Sequence, residues 1–179
     1  NKHKDEVLKN LSNDSLHYIT SARQDNTYLV YVRAKGYIYK DTLIHIPNTA
    51  AELTYTIPLS ALQKEMVLQL RNIQFDHNSS VLTPSSYAEL DKLVKLMQDN
   101  PSMQIELSAH TDDVGSEQYN MRLSQQRGES VRKYLIRKEV DAKRIIAKGY
   151  GKNKPLVPND SDENRAINRR VEFTINEIE

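Results

Sequence analysis

Arg127 stands at a position that usually carries an apolar residue. The residues that recur every fourth position on one face of a predicted helix are Leu123, Arg127, Val131 and Leu135. Three of them are apolar and typical of a stripe that faces a core. A guanidinium keeps its charge at physiological pH, and burying it without an anion is costly. Arg127 therefore requires either an acidic partner within the protein or an anionic ligand.

The segment HTDDVGS, from His110 to Ser116, follows an alternating stretch and precedes that helix. It is rich in turn-forming residues, and Gly115 is the natural position for a positive φ angle. Ser116 can cap the helix, whose first N–H groups and positive dipole favour a nearby anion. Strand ends that lead into helices are where α/β domains bind ligands. The segment therefore predicts a site that accepts a carboxylate.

Asp112 and Arg127 offer complementary charges if the helix packs beside the strand. An amino acid centre carries an ammonium and a carboxylate a few ångströms apart. Arg127 could bind its carboxylate through two hydrogen bonds while Asp112 accepts from its ammonium. A buried arginine is also commonly satisfied within the protein, so Asp112 and Arg127 could instead pair with each other. The spacing alone leaves both interpretations open.

The elements that must position these residues alternate between strands and helices after about Met66. Strand-like alternation or helical spacing is found, in order, in VLQLRNIQF ending at Asp76, SYAELDKLVKLMQ, MQIELSAH, the helix from Ser116 to near Lys138, RIIAKGYG and RRVEFTI. A loop with Pro155 and Pro158 precedes the last strand. This order predicts an α+β fold, an α/β two-layer sandwich, over residues 66–179.

The preceding part of the chain, residues 1–65, has a β-rich pattern. Period-two alternation predicts three short antiparallel strands at 27–34, 38–46 and 53–58. Three short strands form a marginal sheet by themselves. The pair Gly36-Tyr37 resembles the end of a strand in the carboxypeptidase-regulatory-like β-sandwich. We expect this segment to be the end of such a sandwich, with its earlier strands before Asn1.

Composition narrows the classes of partner. The 25 Lys and Arg residues balance 24 acidic residues, so the charge gives no reason to expect nucleic acid. Without cysteine, the chain has no disulfide, thiolate metal site or thiol nucleophile of its own. No apolar run approaches the roughly 20 residues that span a bilayer. His110, Asp112, Asp113 and Glu117 lack the spacing of known metal motifs, and we expect no metal and no cofactor.

Three motifs occur in a fixed order. They are Thr111-Asp112 with Gly115, Asn120 with Leu123-Ser124 and Arg127, and NRRVE from Asn168 to Glu172. Together with NIQFDHNSSVL, they resemble the OmpA-like peptidoglycan-binding domain over about residues 66–176. The family implies a βαβαβ sandwich in the periplasm, associated with the outer membrane and the cell wall. It also implies a noncatalytic anchor whose partners include outer-membrane or secretion-system proteins.

The resemblance also implies the ligand and its contacts. The family binds meso-diaminopimelate of the peptidoglycan stem peptide, with an Asp and an Arg that match Asp112 and Arg127. The implied peptidoglycan-binding residues are Phe75, Asp76, Thr111, Asp112, Asp113, Val114, Gly115, Asn120, Arg127 and Arg170. Arg170 would either contact ligand or brace the loop. Ala109 and Gly128 depart from the common family residues and remove no polar contact.

Two other classes of function are weighed against this one. Ser124, His110 and Asp112 include the residue types of a catalytic triad, but no G-x-S-x-G turn presents a serine. We therefore expect no enzyme activity, and we expect His110 to make a hydrogen bond at its strand end. The alternative is a protein-interaction module of an envelope assembly, in which the pocket is vestigial.

Overall fold

The structure is a computed structural model that describes residues 11–12, 15–16, 23–48, 53–76 and 78–178. The described residues form two compact units. The first unit includes the described residues up to Tyr31 and those from Asp41 to Ile57, and the second includes Val32–Lys40 and the residues from Pro58 onward. Along the chain, the division thus falls at three points, after Tyr31, after Lys40 and after Ile57. The domain boundary that the sequence predicts near residue 65 stays a prediction.

The N-terminal strands are short. β1 (Leu11–Ser12) pairs antiparallel with β2 (Ser15–Leu16). β3 (Asn26–Val32) lies beside β4 (Lys40–Ile46), and half-buried residues alternate with exposed ones along both, as the period-two pattern predicts. The likeness to a β-sandwich stays a prediction.

The third predicted strand, at 53–58, is wrong, because these residues form no strand. A strand needs a partner for its backbone groups. The contact from this segment to β4 is made instead by a side chain, since the Tyr55 hydroxyl donates to the His45 carbonyl at 2.8 Å. Backbone pairing resumes only at Ser60, whose carbonyl accepts from the Ile38 N–H at 2.8 Å. Alternation of polar and apolar residues is therefore not sufficient for a strand when no neighbouring backbone forms hydrogen bonds with the segment.

A four-stranded sheet is the centre of the second unit. Its strands are β5 (Val67–Leu70), β6 (Gln104–His110), β7 (Ile145–Gly151) and β8 (Val171–Glu177), in the order β5-β8-β6-β7. β6 and β7 run parallel, and β8 is antiparallel to both β5 and β6. The two central strands, β6 and β8, therefore carry the most buried side chains, among them Leu107 and Phe173.

Three α-helices are described. α1 (Tyr87–Asp99) follows a 3₁₀ turn at Pro84–Ser86, and its predicted apolar face is buried. α2 (Glu117–Arg137) packs along β6 and β7. The predicted alternation of strands and helices is confirmed, and the fold is α+β. None of the helices in the described ranges combines the length and apolar content that crossing a membrane requires.

Two elements differ from the sequence prediction. The first strand ends at Leu70 instead of Asp76, because Asn72 adopts a positive φ of 59° that breaks the extended chain. The following residues fold back on themselves, and Phe75 pairs with Leu82. The predicted loop before β8 contains a third helix, α3 (Asp162–Asn168), which Ser161 caps by accepting from Asn164 N–H at 3.1 Å.

The outer edge of β7 is covered by side chains of α2. Gln125 donates to the Ala147 carbonyl at 3.1 Å and accepts from the Gly149 N–H at 2.8 Å. Arg132 donates to the Ile145 carbonyl at 2.9 Å. A Cβ at Gly149 would lie 2.2 Å from the backbone nitrogen of Gln125, so only glycine allows α2 to come this close to β7. The close contact fixes α2, and with it Arg127, over the sheet.

Candidate functional site

The turn between β6 and α2 begins with two fixed residues. The N–H of buried Thr111 donates to the Gly151 carbonyl at 2.9 Å, and its hydroxyl donates to the Asp112 carbonyl at 2.9 Å. The Asp112 Oδ1 accepts from the Val114 N–H at 3.1 Å. Gly115 has a φ of 96°, so the position predicted for a left-handed residue is confirmed. The sequence thus folds into a compact loop around the Asp112 carboxylate.

Asn120 shapes this turn from beneath. Its side chain is buried, and Nδ2 donates to the Val114 carbonyl at 2.9 Å. The Ser116 hydroxyl accepts from the Tyr119 N–H at 3.2 Å, as the predicted helix cap requires. Val114 itself is 64% exposed. The Val114 side chain of the turn therefore faces solvent, while its backbone carbonyl is held by the buried Asn120 side chain.

Arg127 is half-buried and held at two points. Its Nε donates to the Ser79 carbonyl at 3.0 Å, and its ζ carbon lies 5.0 Å from the centre of the Phe75 ring. No carboxylate of the described residues lies within ion-pair distance of it, so the internal pair with Asp112 is not formed. Burial lowers the pKa of Arg127, while the nearby Tyr119 and Asp112 oppose that shift. The guanidinium stays charged, and its two terminal nitrogens make no hydrogen bond to the described residues, so they are available to an anion.

Asp112 pairs with Arg169 instead. Arg169 Nη1 donates to Asp112 Oδ2 at 2.7 Å, and the side chains are 45% and 14% exposed, respectively. The sequence interpretation missed Arg169 because it carried over only the second arginine of NRRVE. Adjacent side chains tend to point in different directions, so the Arg169-Arg170 pair indicates that one of the two can reach the turn, although it does not say which. Asp112, Arg127 and Arg169 are called the turn cluster below.

Arg170 points into the protein. Its Nε donates to Glu172 Oε2 at 3.0 Å, and Nη1 donates to the carbonyls of Lys154 and Asn168 at 3.2 and 3.4 Å. Only 4% of the Arg170 side chain is exposed. Of the two predicted roles, this geometry is that of a brace for the loop before β8.

His110 lies beside Arg170 and Glu172, and these three residues are called the buried cluster below. The His110 ring stacks on Tyr150 with centroids 5.3 Å apart. Its Nε2 is 3.3 Å from Glu172 Oε1, and neither ring nitrogen makes a hydrogen bond to the described residues. The hydrogen bond of His110 at the strand end is made by its backbone N–H, which donates to the Arg170 carbonyl at 3.0 Å. Burial and the Arg170 guanidinium lower the pKa of His110 to about 4, which Glu172 partly opposes. The ring is therefore neutral at pH 7.

The loop between β7 and β8 is tied to the turn. Arg165 Nε donates to Asp113 Oδ1 at 3.2 Å, and Lys152 Nζ donates to the Gly115 carbonyl at 3.2 Å. Asn168 is fully buried and clamps the loop by accepting from the Leu156 N–H at 2.8 Å. These contacts place the start of β8, and therefore Arg169, against the turn.

Phe75 and Asp76 belong to the loop that follows β5. Phe75 is half-buried beneath the Arg127 guanidinium. Asp76 is exposed, and its N–H donates to the Val81 carbonyl at 3.1 Å. The same loop supplies the Ser79 carbonyl to Arg127. Thus three separate segments, after β5, after β6 and before β8, meet at the middle of α2.

The family model of the OmpA family matches residues 74–169, which is more than half of the chain. The chain belongs to the OmpA family. All three segments of the site lie within the matched residues.

Individual relatives agree with this membership. Outer membrane porin F of Pseudomonas fluorescens is 38% identical over 104 residues, covering 58% of this chain and 32% of the porin. Peptidoglycan-binding protein ArfA of Mycobacterium tuberculosis is 34% identical over 104 residues, with the same coverage of 58% and 32%. The crystal structure of the peptidoglycan-associated lipoprotein from Burkholderia pseudomallei matches with a TM-score of 0.54 at 28% identity, covering 57% of this chain and 87% of that one. The chain spans about a third of the length of these curated relatives.

The OmpA-family site of this chain combines two cations with one carboxylate. Asp112 lies near enough to Arg127 to oppose the lowering of its pKa, and Arg169 lies near enough to add to that lowering. Across the described ranges, no three histidine or acidic side chains converge as a metal site would require. The arrangement fits a ligand that carries a carboxylate and an ammonium side by side.

Proposed function

We propose that the OmpA-family domain of this chain binds peptidoglycan without cleaving it, through the diaminopimelate of the stem peptide. The observation that carries the proposal is Arg127, a half-buried guanidinium fixed by Ser79 and Phe75 and without a carboxylate partner in the described residues. A fixed cation of this kind binds an anion at little conformational cost. The names of two relatives, a peptidoglycan-binding protein and a peptidoglycan-associated lipoprotein, point to the same polymer.

Diaminopimelate suits the turn cluster because one end of it remains free in the stem peptide. That end carries a carboxylate and an ammonium on one carbon. In the proposed complex, the carboxylate accepts from the terminal nitrogens of Arg127, and the ammonium donates to Asp112. Asp113, Val114 and Gly115 supply the turn surface, the buried residues Thr111 and Asn120 support it, and Phe75 and Asp76 line the opposite side.

The biological role that follows is anchoring. An envelope protein or complex that carries this domain would be held to the cell wall in the periplasm, next to the outer membrane. Each site binds one zwitterionic centre, so tethering gains from many copies that face a polymer of repeated ligands. Partner proteins would belong to the outer membrane or a secretion system. The peptidoglycan anchor of the type IX secretion system resembles this combination of a β-rich segment and an OmpA-like domain.

Isothermal titration calorimetry with a diaminopimelate-containing stem peptide tests the proposal. Asp112→Ala and Arg127→Ala should each weaken binding roughly 30-fold or more, because truncating one side of a partly buried charge pair costs about 2 kcal/mol or more. Arg137→Ala is the matched control, since Arg137 is an exposed arginine at the other end of α2. We expect it to bind as the native protein does.

Two results would overturn the proposal. The native protein could release no heat with the peptide and fail to pellet with intact sacculi, which is the behaviour of a protein-interaction module with a vestigial pocket. Alternatively, purified sacculi could lose soluble fragments when the protein is added, which is the behaviour of an enzyme.

A further inference from the structure

The Asp112 carboxylate has little free surface for a ligand. Its Oδ1 is bonded to the Val114 N–H at 3.1 Å, and its Oδ2 is bonded to Arg169 Nη1 at 2.7 Å. Only 14% of the side chain is exposed. The Val114 contact belongs to the turn itself and holds its shape. Each oxygen of Asp112 thus already accepts one hydrogen bond, and the bond from Arg169 comes from a partly exposed side chain.

Arg127 and Arg169 are held very differently. Arg127 is half-buried, bonded through Nε to a backbone carbonyl and stacked on Phe75. The Arg169 side chain is 45% exposed, and its contact in the described part of the chain is the single bond from Nη1 to Asp112. Since Arg169 also lowers the pKa of Arg127, the two cations repel each other. Arg127 is thus the fixed cation of the turn cluster, and Arg169 is the one that can leave.

We propose that Arg169 is a specificity-determining residue that competes with the ligand ammonium for Asp112. This inference rests on the proposed function of the same site. Ligand binding then exchanges one cation for another on Asp112 Oδ2, and Arg169 moves into solvent. The exchange costs the Arg169–Asp112 pair, so the ammonium gains less at Asp112 than it would at a free carboxylate. The ligand carboxylate, which reaches Arg127 in the same step, supplies the rest of the gain.

The consequence is selection for a zwitterionic centre. A ligand that has the ammonium alone must displace Arg169 and receives no contact from Arg127 in return. A ligand that has the carboxylate alone binds Arg127 and leaves the Arg169–Asp112 pair intact. Removing Arg169 should therefore favour every ligand with the ammonium, and it should leave a ligand without it unchanged. A residue that contacted the ligand directly would give the opposite result.

The test uses three stem peptides that differ at one residue. One contains meso-diaminopimelate, the second contains lysine and lacks the side-chain carboxylate, and the third contains 2-aminopimelate and lacks the side-chain amine. Calorimetry compares native protein with Arg169→Gln. We expect the variant to bind the first two peptides roughly two- to fivefold more tightly, the range that loss of a largely solvent-exposed ion pair allows. Binding of the 2-aminopimelate peptide should not change.

Arg165→Gln is the matched control, because Arg165 pairs with the neighbouring turn carboxylate of Asp113 at 3.2 Å. It removes the same charge from the same turn, so it measures the long-range effect of the lost charge on each peptide, and only the difference between the two variants is assigned to Arg169. Arg169→Lys keeps the charge and should restore the native order of affinities. Weaker binding of the diaminopimelate peptide by Arg169→Gln, or an equal shift for all three peptides, would overturn the competition while the proposed function stands. No binding by native protein would overturn both.

Discussion

The turn cluster and the buried cluster share two segments, the end of β6 and the residues just before β8, and have opposite properties. His110 and Asp112 lie two residues apart at the end of β6, and Arg169 and Arg170 are neighbours at the start of β8. The buried cluster joins His110 to Arg170 and Glu172, with both arginine and carboxylate satisfied inside. The turn cluster keeps a fixed guanidinium without a carboxylate partner in the described residues. The same residue types therefore form a brace in one cluster and the proposed binding site in the other, according to the direction in which their side chains point.

The largest difference between the clusters should appear when Arg170 is truncated. Arg170→Ala leaves the Glu172 carboxylate and the Lys154 carbonyl without their donor in a buried place. Removing one partner of a buried ion pair typically costs about 3–5 kcal/mol of folding free energy. We expect a loss of about 3 kcal/mol in urea denaturation followed by circular dichroism. An Arg170→Ala protein as stable as the native one would show that the buried cluster is not a brace.

The buried cluster should also make stability depend on pH. In the unfolded chain, His110 is protonated near pH 6.5. The folded protein lowers the pKa of His110 to about 4, so protonation of the folded state requires a pH near 4. Because the unfolded state binds more protons between these values, stability is fully present above pH 6.5 and is lost as the pH falls towards 4. Each unit of pKa difference corresponds to about 1.4 kcal/mol, so the loss is on the order of 3 kcal/mol.

The His110→Gln variant isolates this contribution. The groups that face the ring, namely Glu172, Arg170, Lys154 and Tyr150, remain in that variant. The difference in free energy of unfolding between native protein and variant should therefore shrink steadily from pH 7 to pH 4. Parallel pH profiles for the two proteins would contradict the assignment of the pH dependence to His110.

Asn120 tests whether the turn is held from the buried side. Asn120→Ala removes the amide that donates to the Val114 carbonyl and leaves that acceptor without this bond. A loss of about 1–2 kcal/mol is expected from one buried hydrogen bond. Affinity for the diaminopimelate peptide should fall in the same variant, because the turn that carries Asp112 loosens. If the variant loses stability but keeps its affinity, the conformation of the turn that Asn120 holds is not needed for binding.

The smallest effect on stability is expected for Arg169, the neighbour of Arg170. Arg169→Ala removes an ion pair whose arginine is 45% exposed, and such pairs contribute about 0–1 kcal/mol. Its free energy of unfolding should stay within about 0.5 kcal/mol of the native value, measured beside Arg170→Ala under the same conditions. Equal destabilisation by the two substitutions would remove the distinction between the clusters.

Much of the second unit could be predicted from the sequence, because its signals are local and agree with one another. The apolar spacing of α1 and α2 and the alternation in β6 and β8 match the periods of their elements. Arg127 was identified as a charge that needs an anion, and the structure gives it no internal carboxylate among the described residues. The cap of α2 at Ser116 was also visible in the residue types.

The errors have tertiary causes. The alternating residues at 53–58 were predicted as a strand, but no neighbouring backbone pairs with them. α3 was predicted as a loop, although Ser161 followed by Asp162 and Glu163 is a helix-start pattern. Arg169 was missed because nothing local says which of two adjacent arginines reaches the turn. That depends on Asn168, which clamps the chain on one side of the loop.

Side chains of α2 form hydrogen bonds with the free backbone groups at the edge of β7, and this limits strand pairing between two copies of the domain. A strand from another molecule would find the Ala147 carbonyl and the Gly149 amide already bonded to Gln125, and the Ile145 carbonyl bonded to Arg132. The sheet is therefore closed to growth on that side. A domain displayed at high density along a surface benefits from this closure, because open edges on crowded neighbours would fuse their sheets into aggregates.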